Sequence, residues 1–239
     1  MSKYIGLFKT EEEYNASKLY YPNLSYTEDD KLLHYSTTPY LYEFIDLDLP
    51  SKTQWMKYNI GASVITNYGL YFQWGDIVGY TDADAKKHSF WETTPFNNSS
   101  SAYNSDYFSS IKDEVAPNNK LSKKYDVSYF HTNGKARIPT QEDFIELINN
   151  TDKEWITIDD VYGCKFVSKT NHSNYIFIPT AGGVGNGSFY GQGGNCNLWA
   201  SDLNADKLSN AYYFYCDSSD CNVYNFNRSR AYPIRPIRR

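Results

Sequence analysis

The stretch RIPTQEDFIELINN, residues 137–150, decides the architecture because it joins a helix start signal to an apolar helix face. Thr140 is of a residue type that caps helix N-termini, and Asp143 brings a negative charge to the positive end of the helix dipole. Three apolar residues recur at helical spacing: Phe144, Leu147 and Ile148. The pattern predicts an amphipathic helix over residues 141–149.

Short apolar runs between turn residues surround this helix and predict strands. The runs lie at residues 44–51, 54–62, 68–76, 155–158, 161–168, 175–178, 211–215 and 223–226. Asp159 and Asp160 predict a turn, and the last two runs predict a hairpin. The glycine-rich residues 182–194 predict a display loop. Many short antiparallel strands with one or two helices indicate an α+β domain.

Residues 1–42 are predicted to form a separate β-α-β-hairpin module in front of the main domain, residues 43–239. Thr10 and Glu13 match a capping box, which predicts a helix that extends to about Tyr20. About forty residues bury little apolar surface alone, which favours an attachment or oligomerisation role over a mere extension of the main core. The candidate contact residues are Tyr4, Leu7, Phe8, Leu24, Tyr26, Leu33 and Tyr35.

Residues 77–127 are polar and predict a long surface excursion of the main domain, pinned to its body by Tyr103 and Tyr107.

Composition excludes several classes of function. The net charge is −5, and basic residues cluster only near the end of the 239-residue chain, so we expect no nucleic-acid partner. The terminal arginines are expected to cap carboxylates or backbone carbonyls. No apolar run approaches the ~20 residues of a membrane helix, so we expect no membrane insertion. The first residues lack a signal-peptide pattern, so we expect the protein to be made in a cytoplasm and not to cross a membrane by that route.

The residues do not predict a metal or catalytic site. Paired C-x-x-C spacing is absent, so the four cysteines are expected to be buried, reduced thiols, with a disulfide between the last two left open for oxidising conditions. They are Cys164, Cys196, Cys216 and Cys221. Residues 202–206 copy the first half of a calcium loop, but Lys207 and Tyr213 replace its later glycine and glutamate, which favours a solvated turn.

The four histidines lie in polar, turn-like or hairpin contexts, and none neighbours a nucleophile motif. We therefore expect no enzyme, no cofactor and no metal.

A binding site is predicted in the last quarter of the chain, where tyrosine and asparagine concentrate, as they do in recognition loops. Aromatic rings also suit sugar rings, although about half of these residues must face the core by the two-residue strand period. The candidates are Phe189, Tyr190, Asn195, Tyr212, Tyr224, Asn225, Phe226 and Asn227.

Eight phrases in fixed order resemble the FISUMP-type family, the fibrobacter major paralogous domain of gut Bacteroidota and their phages. They are DLDLPS (46–51), Trp55, NIGA (59–62), YGLYFQWG (68–75), RIPT (137–140), IPTAG (178–182), LWAS (198–201) and IRPI (234–237). The resemblance covers about four fifths of the chain. It implies a C-type-lectin-like fold related to formylglycine-generating-enzyme domains.

The departures from that pattern argue against enzymatic or calcium-lectin chemistry. The redox-active cysteine pair of the enzyme branch has no convincing counterpart, and the Glu-Pro-Asn and Trp-Asn-Asp phrases of calcium-dependent lectins are missing.

The resemblance implies a virion structural protein of the crAss-like phage head-fibre type, assembled in the host cytoplasm. Such a protein attaches to capsid or fibre partners, forms a homo-oligomer with a trimer preferred over a dimer, and binds a host-surface glycan or protein. A tail-associated receptor-binding protein and a cellular binding module unrelated to a virion stay open as alternatives.

Overall fold

The computed structural model describes residues 3–7, 24–27, 32–35, 42–77, 79–85, 105–185 and 188–239. The chain divides into two compact units, Met1–Tyr42 and Glu43–Arg239.

The first unit contains an antiparallel sheet of three strands in the order β1-β3-β2. The strands are β1 (Lys3–Leu7), β2 (Leu24–Thr27) and β3 (Leu32–Tyr35). The register pairs Leu24 with Tyr35 and Tyr26 with Leu33, so the predicted hairpin is present. The predicted helix after Thr10, and Phe8 among the contact candidates, lie outside the described residues.

The second unit combines four small antiparallel sheets with a few short helices, which is a mixed α+β architecture. Its first strands are β4 (Phe44–Asp46), β5 (Gln54–Met56) and β6 (Phe72–Gln73), and its helices are α1 (Asp82–Ala85), α2 (Ser105–Val115), α3 (Val127–His131) and α4 (Gln141–Asn150). Then follow β7 (Thr151–Ile158), β8 (Val161–Ser168), β9 (Tyr175–Pro179), β10 (Gly183–Gly185), β11 (Ser188–Tyr190), β12 (Cys196–Leu203), β13 (Asn210–Cys216), β14 (Cys221–Asn227), β15 (Ala231–Tyr232) and β16 (Ile237–Arg238). The sheet orders are β16-β5-β4, β7-β8-β9, β12-β13-β14 and β11-β10-β15-β6.

Helix α4 lies at the centre of the core, as its apolar face predicts. Phe144 stacks on Phe214 of β13 at 5.1 Å between ring centroids and contacts Trp55 of β5 at 5.2 Å. Phe166 of β8 meets Phe214 edge to face at 5.9 Å. The helix therefore joins three of the four sheets through one aromatic cluster.

The predicted start of α4 is confirmed and more elaborate than the sequence suggested. Thr140 and Asp143 form a reciprocal capping box, in which each side chain accepts a hydrogen bond from the other's backbone N–H. The turn at Asp159 and Asp160 is also confirmed, and both residues have positive φ values of 46° and 63°. Positive φ at both central positions suits a two-residue hairpin loop between twisted strands.

The three strands predicted before the helix are much shorter than expected. Only β4, β5 and β6 form within residues 44–51, 54–62 and 68–76. The chain turns at Asp48, Gly61 and Gly69, where φ is 57°, 82° and 79°. Left-handed backbone interrupts strand pairing, so the aromatic runs pack as loops rather than as long strands.

The surface excursion predicted for residues 77–127 is wrong for its second half. Helix α2 occupies part of it, and Phe108 and Val115 are fully buried. The guanidinium carbon of Arg228 lies 3.8 Å from the centroid of the Phe108 ring. Polar composition concealed a helix whose few apolar residues face the core. Tyr103 lies outside the described residues.

The glycine-rich display loop is also corrected, since β10 and β11 form a hairpin there. Gly183 is buried, and an added Cβ would overlap the Tyr232 ring. Gly183 thus allows the backbone to approach this aromatic ring closely, which is a packing role.

Candidate functional site

The hairpin of β13 and β14 has a regular register that separates its side chains into two faces. Tyr213 lies opposite Tyr224, and Phe214 lies opposite Val223. Since side chains alternate along strands, Phe214, Cys216 and Val223 face the main core, where they pack. Tyr213, Tyr215, Tyr224 and Phe226 share the other side, and we call these four residues the aromatic face.

The aromatic face continues a ring cluster that begins in the protein interior. Trp199 contacts Tyr232 at 4.4 Å between centroids, and Tyr232 stacks on Tyr213 at 5.0 Å. Tyr224 then contacts Tyr213 at 6.4 Å and Tyr215 at 6.0 Å. Ring packing thus extends without interruption from a buried tryptophan to the outer strand.

Exposure increases along the same path. Trp199 is fully buried and Tyr232 nearly so, whereas Tyr224 is 43% and Phe226 42% exposed. Within the described residues, strand β14 is the edge strand of its sheet. Large aromatic residues at such exposure on a packed base form a solvent-facing surface.

Two carboxylates in the loop between the strands hold the tyrosine hydroxyls. The Tyr215 hydroxyl donates to Asp217 at 2.5 Å, and the Tyr224 hydroxyl donates to Asp220 at 2.7 Å. These bonds fix the two rings, since the carboxylates and rings belong to one short hairpin.

The two carboxylates differ in how many hydrogen bonds they accept. Asp217 also accepts from the Ser219 N–H, the Ser219 hydroxyl and the Asp220 N–H, at 2.7–2.8 Å. The Tyr215 hydroxyl and these groups hold the pKa of Asp217 well below its usual range. The acceptor capacity of Asp217 is used by its own loop, so Asp217 shapes the turn. Asp220 lies beside the more exposed Tyr224.

A cation borders the aromatic face. The Arg230 guanidinium carbon lies 5.1 Å from the Tyr190 ring centroid and 5.6 Å from the Phe226 ring centroid. Arg230 also lies so close to Gly185 that any Cβ there would overlap the guanidinium. Gly185 therefore makes room for the arginine between the two rings.

The structure brings together some of the predicted site residues and separates others. Tyr190, Tyr224 and Phe226 lie on or beside the aromatic face. Tyr212 packs on the main core, and Asn225, although exposed, shares the face of Tyr212 by register and accepts from the Asn210 side chain.

The other three predicted residues have local structural roles. Phe189 packs edge to face on Tyr71 at 5.3 Å. The Asn195 side chain accepts from Asn197, and Asn227 accepts from the Ser229 N–H.

Tyr213, Tyr215, Asp217, Asp220 and Arg230 were missed. The two-residue period already placed Tyr213 with Tyr215. Only the pairing of β13 with β14 aligns them with Tyr224, and only the packing of the hairpin on the core shows which alternate set reaches solvent.

Other sequence candidates have structural roles. The Asp202 carboxylate is buried and accepts from the Gln141 N–H at 2.8 Å, so the predicted solvated turn is wrong for this residue. His131 is half-buried at the end of α3, not in an open polar turn, and the desolvation of its ring lowers its pKa to about 4.

The terminal arginines cap carbonyls and a carboxylate, as predicted. Arg235 is fully buried and donates to the carbonyl oxygens of Met56, Lys57 and Phe177 and to the Asn59 side chain. Arg239 donates to Asp143.

Within the described residues, no helix is long and apolar enough to cross a membrane. Comparison of the chain with protein-family models, curated proteins and solved structures gave no match.

Proposed function

We propose that residues 43–239 form a C-type-lectin-like domain of the FISUMP type that binds carbohydrate at the aromatic face and performs no catalysis. The observation that carries this proposal is the exposure of Tyr224 and Phe226 on a base of packed rings. The family resemblance supports the same reading from the sequence side.

The chemistry of the face suits a sugar. An exposed ring presents a flat apolar surface to the C–H groups of a pyranose, and a neighbouring carboxylate accepts from its hydroxyls. Asp220 occupies that position beside Tyr224. The hydrogen bond to Asp220 holds the Tyr224 ring before a ligand arrives, so binding loses less side-chain entropy.

The setting that we propose is a virion. The chain acts as a head fibre or capsid decoration protein, and its first unit attaches to other virion proteins and to further copies of itself, preferably as a trimer. The sheet of β1, β2 and β3 supports this role, because a unit of this size needs a partner surface to bury its apolar residues. A host-surface or gut glycan is the proposed ligand.

A glycan array probed with the purified full-length chain tests the binding proposal. We expect Tyr224→Ala and Phe226→Ala each to weaken binding about tenfold, because each removes a ring face. Tyr162→Ala is the matched control, since Tyr162 is 52% exposed but belongs to β8. Array binding that is absent, or is unaffected by both changes, would contradict a carbohydrate site on this face.

Immunogold imaging of phage particles with an antibody to this chain tests the setting. Label on the capsid is the expected result. Label at the tail tip would instead support a tail-associated receptor-binding protein. An unlabelled particle would contradict the virion setting and favour a cellular binding module.

A further inference from the structure

Three of the four cysteines converge on the core side of the hairpin, away from the aromatic face. They are Cys164 of β8, Cys216 of β13 and Cys221 of β14, and their sulfur atoms all lie within 4.8 Å of one another. Cys164 and Cys216 are buried, and Cys221 is half-buried. The group therefore reaches from the core to the molecular surface.

The backbone brings the thiols together from two sheets. Cys216 and Cys221 are direct partners across the hairpin, next to the pair joined by the Asp217 N–H and the Asp220 carbonyl. Along an antiparallel pair of strands, backbone hydrogen-bonded and non-hydrogen-bonded residue pairs alternate. The two cysteines therefore form a non-hydrogen-bonded pair, whose Cα atoms lie about 4.5 Å apart. Cys164 approaches from the neighbouring sheet through the shared core.

A disulfide would explain only two of these thiols. Three thiolates around one tetrahedral metal ion, with metal–sulfur bonds of about 2.3 Å, have sulfur atoms about 3.8 Å apart. The sulfur atoms here are at most 4.8 Å apart, so small rotations of the side chains close the triangle. The third cysteine is the feature that favours a metal.

Cys196 shows that convergence does not follow from burial alone. It is fully buried and lies opposite Cys216 in the same sheet, on β12. Its thiol instead donates to the Ile178 carbonyl oxygen at 3.0 Å, and it is not one of the three converging sulfur atoms. The chain thus supplies an internal control for any thiol chemistry.

Charge selects the kind of metal. Three thiolates with a monovalent ion leave a net charge of −2 at a largely buried site, whereas a divalent ion leaves −1. Lys153 contributes a positive charge near Cys221, and Asp220 contributes a negative one. Because burying excess charge is costly, a divalent thiophilic ion is favoured, and thiolate ligands suit zinc.

We propose that Cys164, Cys216 and Cys221 bind one zinc ion as thiolates, with water at the fourth position on the exposed side of Cys221. Binding replaces three S–H protons, which pass to solvent, and changes no oxidation state. The ion fastens the hairpin that carries the aromatic face to β8. The site is independent of the carbohydrate proposal.

Metal titration of the full-length chain, reduced and stripped with a chelator, tests the site. We expect one zinc ion per chain by elemental analysis. Cobalt substitution should give a thiolate charge-transfer band in the near ultraviolet. We expect zinc affinity to fall in each of three variants, Cys221→Ser, Cys216→Ser and Cys164→Ser. The loss should exceed the ~10–100-fold typical of mutating a residue that only hydrogen-bonds a metal ligand, while Cys196→Ser keeps wild-type affinity.

A melting experiment separates metal loss from misfolding. Zinc should raise the Tm of the wild type and of Cys196→Ser, but not that of Cys221→Ser, whose half-buried side chain tolerates serine in the metal-free fold. The proposal is overturned if the reduced chain takes up no zinc or binds only monovalent copper. It is also overturned if Cys196→Ser loses as much zinc affinity as the other three variants. The proposal also fails if the purified chain contains a Cys216–Cys221 disulfide and binds no zinc once that bond is reduced.

Discussion

Replacing Asp143 by asparagine should destabilise the second unit strongly, although the change removes one charge and almost no volume. Asp143 is 2% exposed and accepts five hydrogen bonds. Two come from the Arg137 guanidinium at 2.6 and 3.0 Å, two from the Thr140 N–H and hydroxyl, and one from Arg239 at 3.2 Å. The carboxylate thus joins the start of α4 to the chain end.

The size of the effect follows from burial. Breaking a buried ion pair by removing one partner typically costs about 3–5 kcal/mol, since the remaining charge loses its compensation. Here Arg137 is partly exposed, which places the expectation near 3 kcal/mol. The matched control is Glu142→Gln, one residue earlier in the same helical turn. Glu142 is 65% exposed and pairs with exposed Lys120, so its loss should cost under ~1 kcal/mol.

The effect should also depend on pH. Burial alone would raise the pKa of Asp143, but the hydrogen bonds from Arg137 and Thr140 outweigh it and hold this pKa below its ordinary value of 3.8. A carboxyl with a lowered folded-state pKa stabilises the fold above its unfolded-state pKa, and that contribution is lost as the pH falls through the folded-state pKa. The gap between wild type and Asp143→Asn should therefore narrow when the pH is lowered from 7 to 3.

Urea unfolding followed by tryptophan fluorescence is the assay. All five tryptophans lie within residues 43–239, so the signal reports the second unit. If Asp143→Asn costs no more than Glu142→Gln at pH 7, or if the gap widens at pH 3, the assigned role of the network is wrong.

Four further predictions concern the stability of the second unit. Trp199→Ala should cost about 3–5 kcal/mol, because Trp199 is fully buried and its indole N–H donates to the Phe72 carbonyl oxygen. Tyr224→Ala should leave Tm nearly unchanged, and a large shift would make Tyr224 a core residue. The stability difference between the wild type and Asp126→Asn should change with pH in the direction opposite to that for Asp143→Asn. Burial raises the pKa of Asp126 to about 6. The protonated carboxyl therefore stabilises the fold fully below about pH 4, and this contribution is lost as the pH rises through about 6. The stability of the wild type relative to Asp126→Asn should fall by about 3 kcal/mol between pH 4 and 7, and a constant difference would contradict this assignment. Gly163→Ala should cost about 1–3 kcal/mol, because its Cβ would overlap the Phe177 ring, and a neutral change would show that β9 yields freely.

Local features were predictable because their causes lie within a few residues. The cap at Thr140, the helical face of α4, the turn at Asp159 and Asp160, and the strand Val161–Ser168 all depend on neighbours in sequence. Helix α2 escaped prediction because its core contacts rest on isolated residues such as Phe108 within a polar segment.

The amino-acid sequence by itself determined the α+β class, the hairpin of β13 and β14 and the concentration of aromatic residues near the chain end. Only the tertiary structure decided that Tyr213 and Tyr215 join Tyr224 outside while Tyr212 and Phe214 face the core. Only the packing of β8 on that hairpin brought Cys164 to Cys216 and Cys221. The physical reason is that strand periodicity defines two faces without saying which is buried, and burial depends on elements distant in the chain.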